Sequence, residues 1–132
     1  MTSVLGFDYG RKRIGVAVGQ TVSGSATALT TVSARDGQPD WRSISALIQD
    51  WQPELLVVGL PLSMDGSEHE LTQAARRFGN QLAGRYNLPV EFVDERLTSV
   101  EAEARQVRPP RPGDIDKIAA QIILQDWLDS RP

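Results

Sequence analysis

Apolar residues recur along this chain first at every second position, then at every third or fourth, and the change of period divides it. Val4, Leu5 and Phe7 make a short apolar run that ends in Asp8. From Arg13 to Gln20 the residues alternate. Ile14, Val16 and Val18 lie on one face, Gly15, Ala17 and Gly19 on the other, which predicts a strand with one small-residue face. The short loop at Gly10 joins these two strands as a hairpin. A third strand within Ala26 to Ala34 completes an antiparallel meander.

The period then lengthens. Trp41, Ile44, Leu47, Ile48 and Trp51 fall at helical spacing. "ELLVVGLP" is a continuous apolar run ending in Gly-Pro signals, and it reads as a strand buried on both faces. Ser67 and Glu70 are spaced as a capping box. The helix they open has Leu71, Ala74, Ala75, Phe78 and Leu82 as its apolar stripe, with Gly79 and Gly84 weakening its second half. Val90 to Glu95 is another strand. Thr98 and Glu101 are spaced as a second capping box, Arg108 to Gly113 ("RPPRPG") reads as a loop, and residues 114–129 make a final helix. The order β-β-β-α-β-α-β-α-α, with right-handed crossovers, predicts an α/β fold. Its mixed five-stranded sheet has three antiparallel strands followed by two parallel ones, flanked by helices. At 132 residues the whole chain, 1–132, is expected to be a single domain.

Composition narrows the chemistry. The absence of cysteine excludes thiolate zinc sites, disulfides and cysteine nucleophiles. No apolar run approaches the roughly 20 residues of a membrane span. Arg11, Lys12 and Arg13 follow the first apolar run instead of preceding it, so no leader is expected and the cytoplasm is the expected location. A net charge of −3 excludes a globally basic nucleic-acid binder but leaves local patches open. Only Lys12 and Lys117 among the 14 cations are lysine, and arginine suits bidentate phosphate contacts; an arginine-biased genome explains the count equally well.

Acids interrupt apolar patterns at three places. Asp8 lies at the C-terminal end of the first strand, where ligands of open α/β sheets gather. By itself it reads equally well as a turn residue or the start of a phosphate loop. Asp94 and Glu95 end the fifth strand at the same sheet edge, and periodicity does not choose between them. Asp116 projects in line with Ala119, Ala120, Ile123 and Trp127, on the apolar stripe of the last helix, opposite Lys117, Gln121 and Gln125. A carboxylate there is costly unless it is paired or binds a metal. Acids from two strand ends and a helix make the hard oxygen set that Mg²⁺ or Mn²⁺ needs. Two such ions about 4 Å apart can drive phosphodiester hydrolysis. His69 sits in a polar helix start and reads as exposed. Arg11, Lys12 and Arg13 flank Asp8, and Arg108 and Arg111 precede Asp116, as expected of residues that hold phosphates. Arg76, Arg77 and Arg85 read as a solvated surface.

Four stretches, "FDYGRKRIGVAVG", "VVGLPLSMDGS", "VDERLTSVEA" and "DIDKIAAQIIL", resemble the motifs of the YqgF family in order and spacing, across nearly the whole chain. That family is described as pre-16S rRNA nucleases or Holliday-junction-resolvase-like proteins with an RNase H-like fold. The resemblance implies a bacterial, cytoplasmic hydrolase that uses Mg²⁺ or Mn²⁺ in maturation of the 16S rRNA 5′ end. Its partners would be pre-16S rRNA, branched DNA as an alternative, and the pre-ribosomal particle. It maps the catalytic and metal-ligating acids onto Asp8, Glu95 and Asp116, choosing Glu95 over Asp94. Nucleic-acid contacts are expected from Gly10, Arg11, Lys12, Arg13, Ser63, Arg108 and Arg111, with Gly59, Pro61 and Ser63 shaping the cleft floor. Asp114 and Lys117 depart from the family pattern, as do Ser63, where asparagine is common, and the short Pro-rich loop. They bear on how a strand is held near Asp116 and on whether Asp114 adds an acid. "DYGRKRIG" also resembles the first phosphate loop of sugar-kinase and actin-type ATPases, which close two such domains around a nucleotide. A non-catalytic RNase H-like module that binds RNA or a protein is the third reading.

Overall fold

The computed structural model describes residues 3–95 and 112–131. Its strands are β1 (Ser3–Asp8), β2 (Arg13–Gln20), β3 (Ser25–Arg35), β4 (Gln38–Pro39), β5 (Leu55–Leu60) and β6 (Val90–Asp94). Its helices are α1 (Trp41–Trp51), α2 (Glu70–Tyr86) and α3 (Pro112–Asp129). The sheet order is β4-β3-β2-β1-β5-β6. β1, β2 and β3 pair antiparallel, while β5 runs parallel to β1 and β6 parallel to β5. The five expected strands are present in the expected directions. β4 adds a sixth, two residues long, carried back onto β3 by the turn at Asp36 and Gly37. The helix predicted from Thr98, and Arg108 and Arg111, lie outside the described residues.

The sheet has two unlike faces, and alternation along the strands separates them. Leu5, Phe7, Ile14, Val16, Val18, Leu56 and Val58 join Ile44 of α1 and Ala75, Phe78 and Leu82 of α2 in one buried layer. Val4, Ala17 and Val57 join Ala120, Ile123, Leu124 and Leu128 of α3 in the other. Small residues explain why a single helix can cover the second face. A Cβ on Gly6 would lie 2.9 Å from Cβ of Leu124, and one on Gly19 would lie 3.1 Å from side-chain atoms of Leu124 and Leu128. A Cβ on Gly15 would run into the backbone carbonyl of Asp116 itself. The small-residue stripe of β2 is therefore the seat of α3.

Several boundaries differ from the expected ones. α2 begins at Glu70, not at Ser67. Thr72 explains the shift: its hydroxyl accepts the His69 N–H at 3.2 Å and donates to the Pro61 carbonyl at 2.5 Å, which anchors the first turn to the end of β5. α3 starts at Pro112, inside the stretch expected as loop, because proline lacks the N–H that a first-turn residue does not need. Gln121 and Gln125 do not face solvent. Gln125 Oε1 accepts the Ala26 N–H at 2.9 Å, and the two amide groups donate to the Ala26 and Gly24 carbonyls at 3.0 and 2.9 Å. They satisfy peptide groups at the start of β3 on the edge away from β2, which β4 covers only at Ala34 and Arg35.

The two helical glycines of α2 differ in what surrounds them. A Cβ on Gly79 would lie 2.5 Å from the Phe92 ring, whereas one on Gly84 meets nothing within 4 Å. Gly84→Ala is expected to stabilise the protein by about 1 kcal/mol through helix propensity. A thermal melt of this variant that shows a lower midpoint than the parent contradicts that reading.

Candidate active site

Parity along the strands brings the acids together. Phe7 faces the α1–α2 layer, so Asp8 faces α3. In β6, Phe92 packs on the α1–α2 layer and Val93 on the α3 layer, so Asp94 falls on the first face and Glu95 on the second. Burial agrees: Asp94 is exposed, and Glu95 is 8% exposed. The Glu95 N–H donates to the Leu60 carbonyl at 3.1 Å, which extends the parallel pairing one residue past the strand. Asp8 and Glu95 thus meet at the C-terminal edge of β1, β5 and β6, under the first turns of α3.

Two glycines make room for this. Asp8 pairs laterally with Gly15 of β2, over which the backbone of Asp116 rests. On the other side Phe7 pairs with Val58, so Gly59 follows beside Asp8. A Cβ on Gly59 would strike Oε2 of Glu95 and come within 2.6 Å of Ile123. Each glycine admits one of Asp8's acidic neighbours. The alternation pattern already showed Gly15 on a small-residue face, but its link to Asp116 needed the packed helix.

The carboxyl groups of Asp8 and Glu95 are hydrogen-bonded to one another. Burial pushes Asp8 well above the ordinary carboxylate range; the bond from Glu95 opposes that rise, and the nearby charge of Asp116 adds to it. Burial also raises Glu95, and the charge of Asp8, their hydrogen bond and the charge of Asp94 raise it further. Both carboxyls are thus pushed toward the protonated form, and they titrate as a pair. Asp116 is felt by Asp8 through space, while its Oδ2 accepts a hydrogen bond from Nε of Arg13, 2.8 Å away. Among the described residues, no three acids are grouped closely enough to ligate one ion as placed. Asp114 pairs with Lys117 at 3.4 Å.

The cations divide between the two faces. Arg13 belongs to the acid side through Asp116. Arg11 turns to the α2 side, 3.3 Å from Glu70. Lys12 is exposed, and its backbone carbonyl accepts the Ala34 N–H at 2.9 Å. Gly10 makes the loop tight, since a Cβ there would lie 2.5 Å from the Arg13 carbonyl oxygen. Ser63 is half-buried in a turn closed by its N–H on the Ser67 carbonyl at 2.9 Å.

The sequence model of a family described as "RuvX: Holliday junction resolvase" matches residues 2–130. The chain belongs to the RuvX family. The four motifs that resemble YqgF lie within that span. A relative from Hydrogenovibrio crunogenus is 51% identical over 127 residues, covering 96% of this chain and 93% of its own. One from Nitrosococcus oceani is 58% identical over 129 residues, covering 95% and 85%. Both carry the name "Putative pre-16S rRNA nuclease". In fold, the RuvX chain is similar to Thermus thermophilus RuvC in complex with a Holliday junction substrate, with TM-score 0.58, 18% identity and coverage of 99% and 96%. It is also similar to the fowlpox virus resolvase in complex with Holliday junction DNA, with TM-score 0.59, 12% identity and coverage of 98% of each chain. The resolvase neighbours bear out the fold that the YqgF resemblance implies, with the mixed sheet expected from the order of strands and helices. No described helix is long and apolar enough to cross a membrane.

Proposed function

We propose that this RuvX protein is a cytoplasmic, divalent-metal-dependent nuclease that hydrolyses RNA phosphodiesters, with the 5′ leader of pre-16S rRNA, within a pre-ribosomal particle, as its substrate. The observation that carries the metal site is the meeting of the Asp8 and Glu95 carboxyls at the sheet edge. Like charges on two carboxyls in contact repel, and positive charge between them relieves that repulsion. Their hard oxygens suit Mg²⁺ or Mn²⁺, and the room left by Gly59 keeps the Glu95 carboxyl in place. Asp8, Glu95 and Asp116 would be the ligands in this reading, with Asp8 the most central of them. Ligation requires both members of the pair ionised, so any proton they hold must leave. When bound, the ion supplies an acidified water and charge neutralisation at the phosphate.

The chain's own residues do the positioning. Arg13 stands beside Asp116 and is placed to take a phosphate oxygen when Asp116 turns to the ion. Gly10 to Lys12 present backbone and charge at the same edge. Gly59, Pro61 and Ser63 form the floor, and Arg108 and Arg111 are proposed as further strand contacts. Branched DNA is the competing substrate, on the strength of the family description.

Cleavage of a labelled pre-16S 5′ leader and of a four-way DNA junction, each with Mn²⁺, tests the assignment. The leader is expected to be cut and Asp116→Asn to lose that activity. Preferential cutting of the junction moves the assignment to DNA, and cutting by Asp116→Asn at the parent rate removes the acid triad from it.

A further inference from the structure

The three arginines of α2 have different surroundings. Arg76 makes two bonds to Glu68, at 2.9 and 2.8 Å. Arg85 stacks its guanidinium 4.0 Å from the centroid of the Trp41 ring. Arg77 is exposed and has no hydrogen-bond or ion-pair partner among the described residues. It lines a pocket of about 150 Å³ with Tyr9, Arg11, Gly37, Gln38 and Gln81. This pocket lies on the α2 side of the loop that follows Asp8, outside the acid site.

The pocket is built by the fold. Tyr9 is buried and donates its hydroxyl to the Gly37 carbonyl at 2.7 Å. Gly37 adopts φ 81°, which favours glycine, and its N–H donates to the Arg11 carbonyl at 3.1 Å. A Cβ on Gly37 would lie 3.1 Å from the Tyr9 hydroxyl. The β3–β4 turn is thereby pinned against the loop that carries Arg11. Arg11 is held only by an exposed contact to Glu70, whose side chain is 87% exposed, and such a contact contributes little. Asp36 is the acid in the lining, so two guanidinium groups outweigh one carboxylate there.

We propose that this pocket binds a phosphate of the substrate strand beside the one being cleaved, with Arg77 and Arg11 as its donors and the Gln81 amide as a third. The proposal rests on the nuclease reading above and adds to it a second anchoring point. The geometry suits one strand crossing the sheet edge: Arg11 is three residues beyond Asp8, at most about 11 Å from it along the backbone. A strand held by Arg13 on the α3 side and by Arg11 and Arg77 on the α2 side would pass over Asp8. Arginine offers the planar, bidentate donors that a phosphodiester takes.

The test is equilibrium binding of a fluorescent single-stranded pre-16S leader to the full-length protein in Ca²⁺ across a salt series. Arg77→Gln and Arg77→Glu are compared with the parent and with Arg131→Gln, past the C-terminal end of α3 on the other face of the sheet, as a distant control. Arg77→Gln is expected to weaken binding about ten-fold. It should also flatten the slope of log affinity against log salt by about 0.7. Arg77→Glu is expected to weaken binding further, and Arg131→Gln to match the parent. Unchanged thermal midpoints show that the variants fold. If the parent binds the leader and both Arg77 variants bind it equally well, with the same slope, the pocket takes no phosphate of the strand. If a nucleoside monophosphate at millimolar concentration raises the parent's midpoint but not that of Arg77→Gln, and strand binding is unaltered, the pocket takes a free nucleotide and the proposal is wrong. A parent that neither binds nor cuts RNA or DNA overturns the nuclease reading and this proposal with it.

Discussion

Asp8→Asn is expected to abolish cleavage while making the metal-free protein more stable at pH 8. The loss follows from removing the central ligand, which deprives the reaction of the charge stabilisation that an ion supplies; the expected fall is about a thousand-fold. The gain follows from the like charges that burial brings together. Asp8 and Glu95 both have raised folded-state values. In the unfolded chain both ionise near pH 4. Between that pH and their raised values the folded state binds more protons, so its stability falls as pH rises. Asparagine carries no charge and relieves its neighbours. Urea unfolding in EDTA should therefore show the variant matching the parent near pH 4 and exceeding it by on the order of 1–3 kcal/mol at pH 8. A variant less stable than the parent at pH 8, or a parent whose stability in EDTA rises between pH 5 and pH 8, contradicts the raised pair.

Gly15→Ala is expected to damage fold and site together. The added methyl group meets the carbonyl of Asp116, a backbone atom that no side-chain rotation can move aside. α3 must lift at its first turns, which costs about 3 kcal/mol, equivalent to a fall of roughly 10 °C in thermal midpoint. The same movement carries Asp116 away from Asp8, so activity should be lost well below the midpoint, where the chain is still folded. The opposite sign expected for Gly84→Ala makes the pair a test of packing against propensity. A Gly15→Ala protein with parental midpoint and activity would show that α3 does not depend on this contact.

Much of this arrangement was legible in the chain because periodicity reports the layers directly. The alternation of β2 named both of its faces, and the stripe of α3 placed Asp116 beside Ala119, Ala120 and Ile123, all buried. Other features depend on contacts between segments distant in sequence. Asp94 and Glu95 are adjacent, and only the layer that each face of β6 packs against separates them. The resemblance chose Glu95, and burial agrees. Arg11 and Arg13 read as one basic loop, yet Arg11, in the bend before β2, turns to Glu70 of α2, while Arg13, the first residue of β2, pairs with Asp116 of α3. Gln121 and Gln125 read as solvent-facing because a helical projection counts amides as polar; it cannot see unpaired peptides waiting in β3. Arg77 reads as surface and is exposed; the pocket beside it is not legible in the sequence because its other walls come from the β3–β4 turn. β4, at two residues, is too short to carry any period.

Binding of Mn²⁺ by titration calorimetry at pH 8, run in two buffers of different ionisation enthalpy, tests most directly whether Asp8, Glu95 and Asp116 form a metal site. The parent is expected to bind Mn²⁺ and to release close to one proton, from the Asp8–Glu95 pair, with binding lost in Asp8→Asn and weakened in Asp116→Asn. A parent that binds no Mn²⁺, or Asp8→Asn binding it as tightly as the parent, would contradict the account.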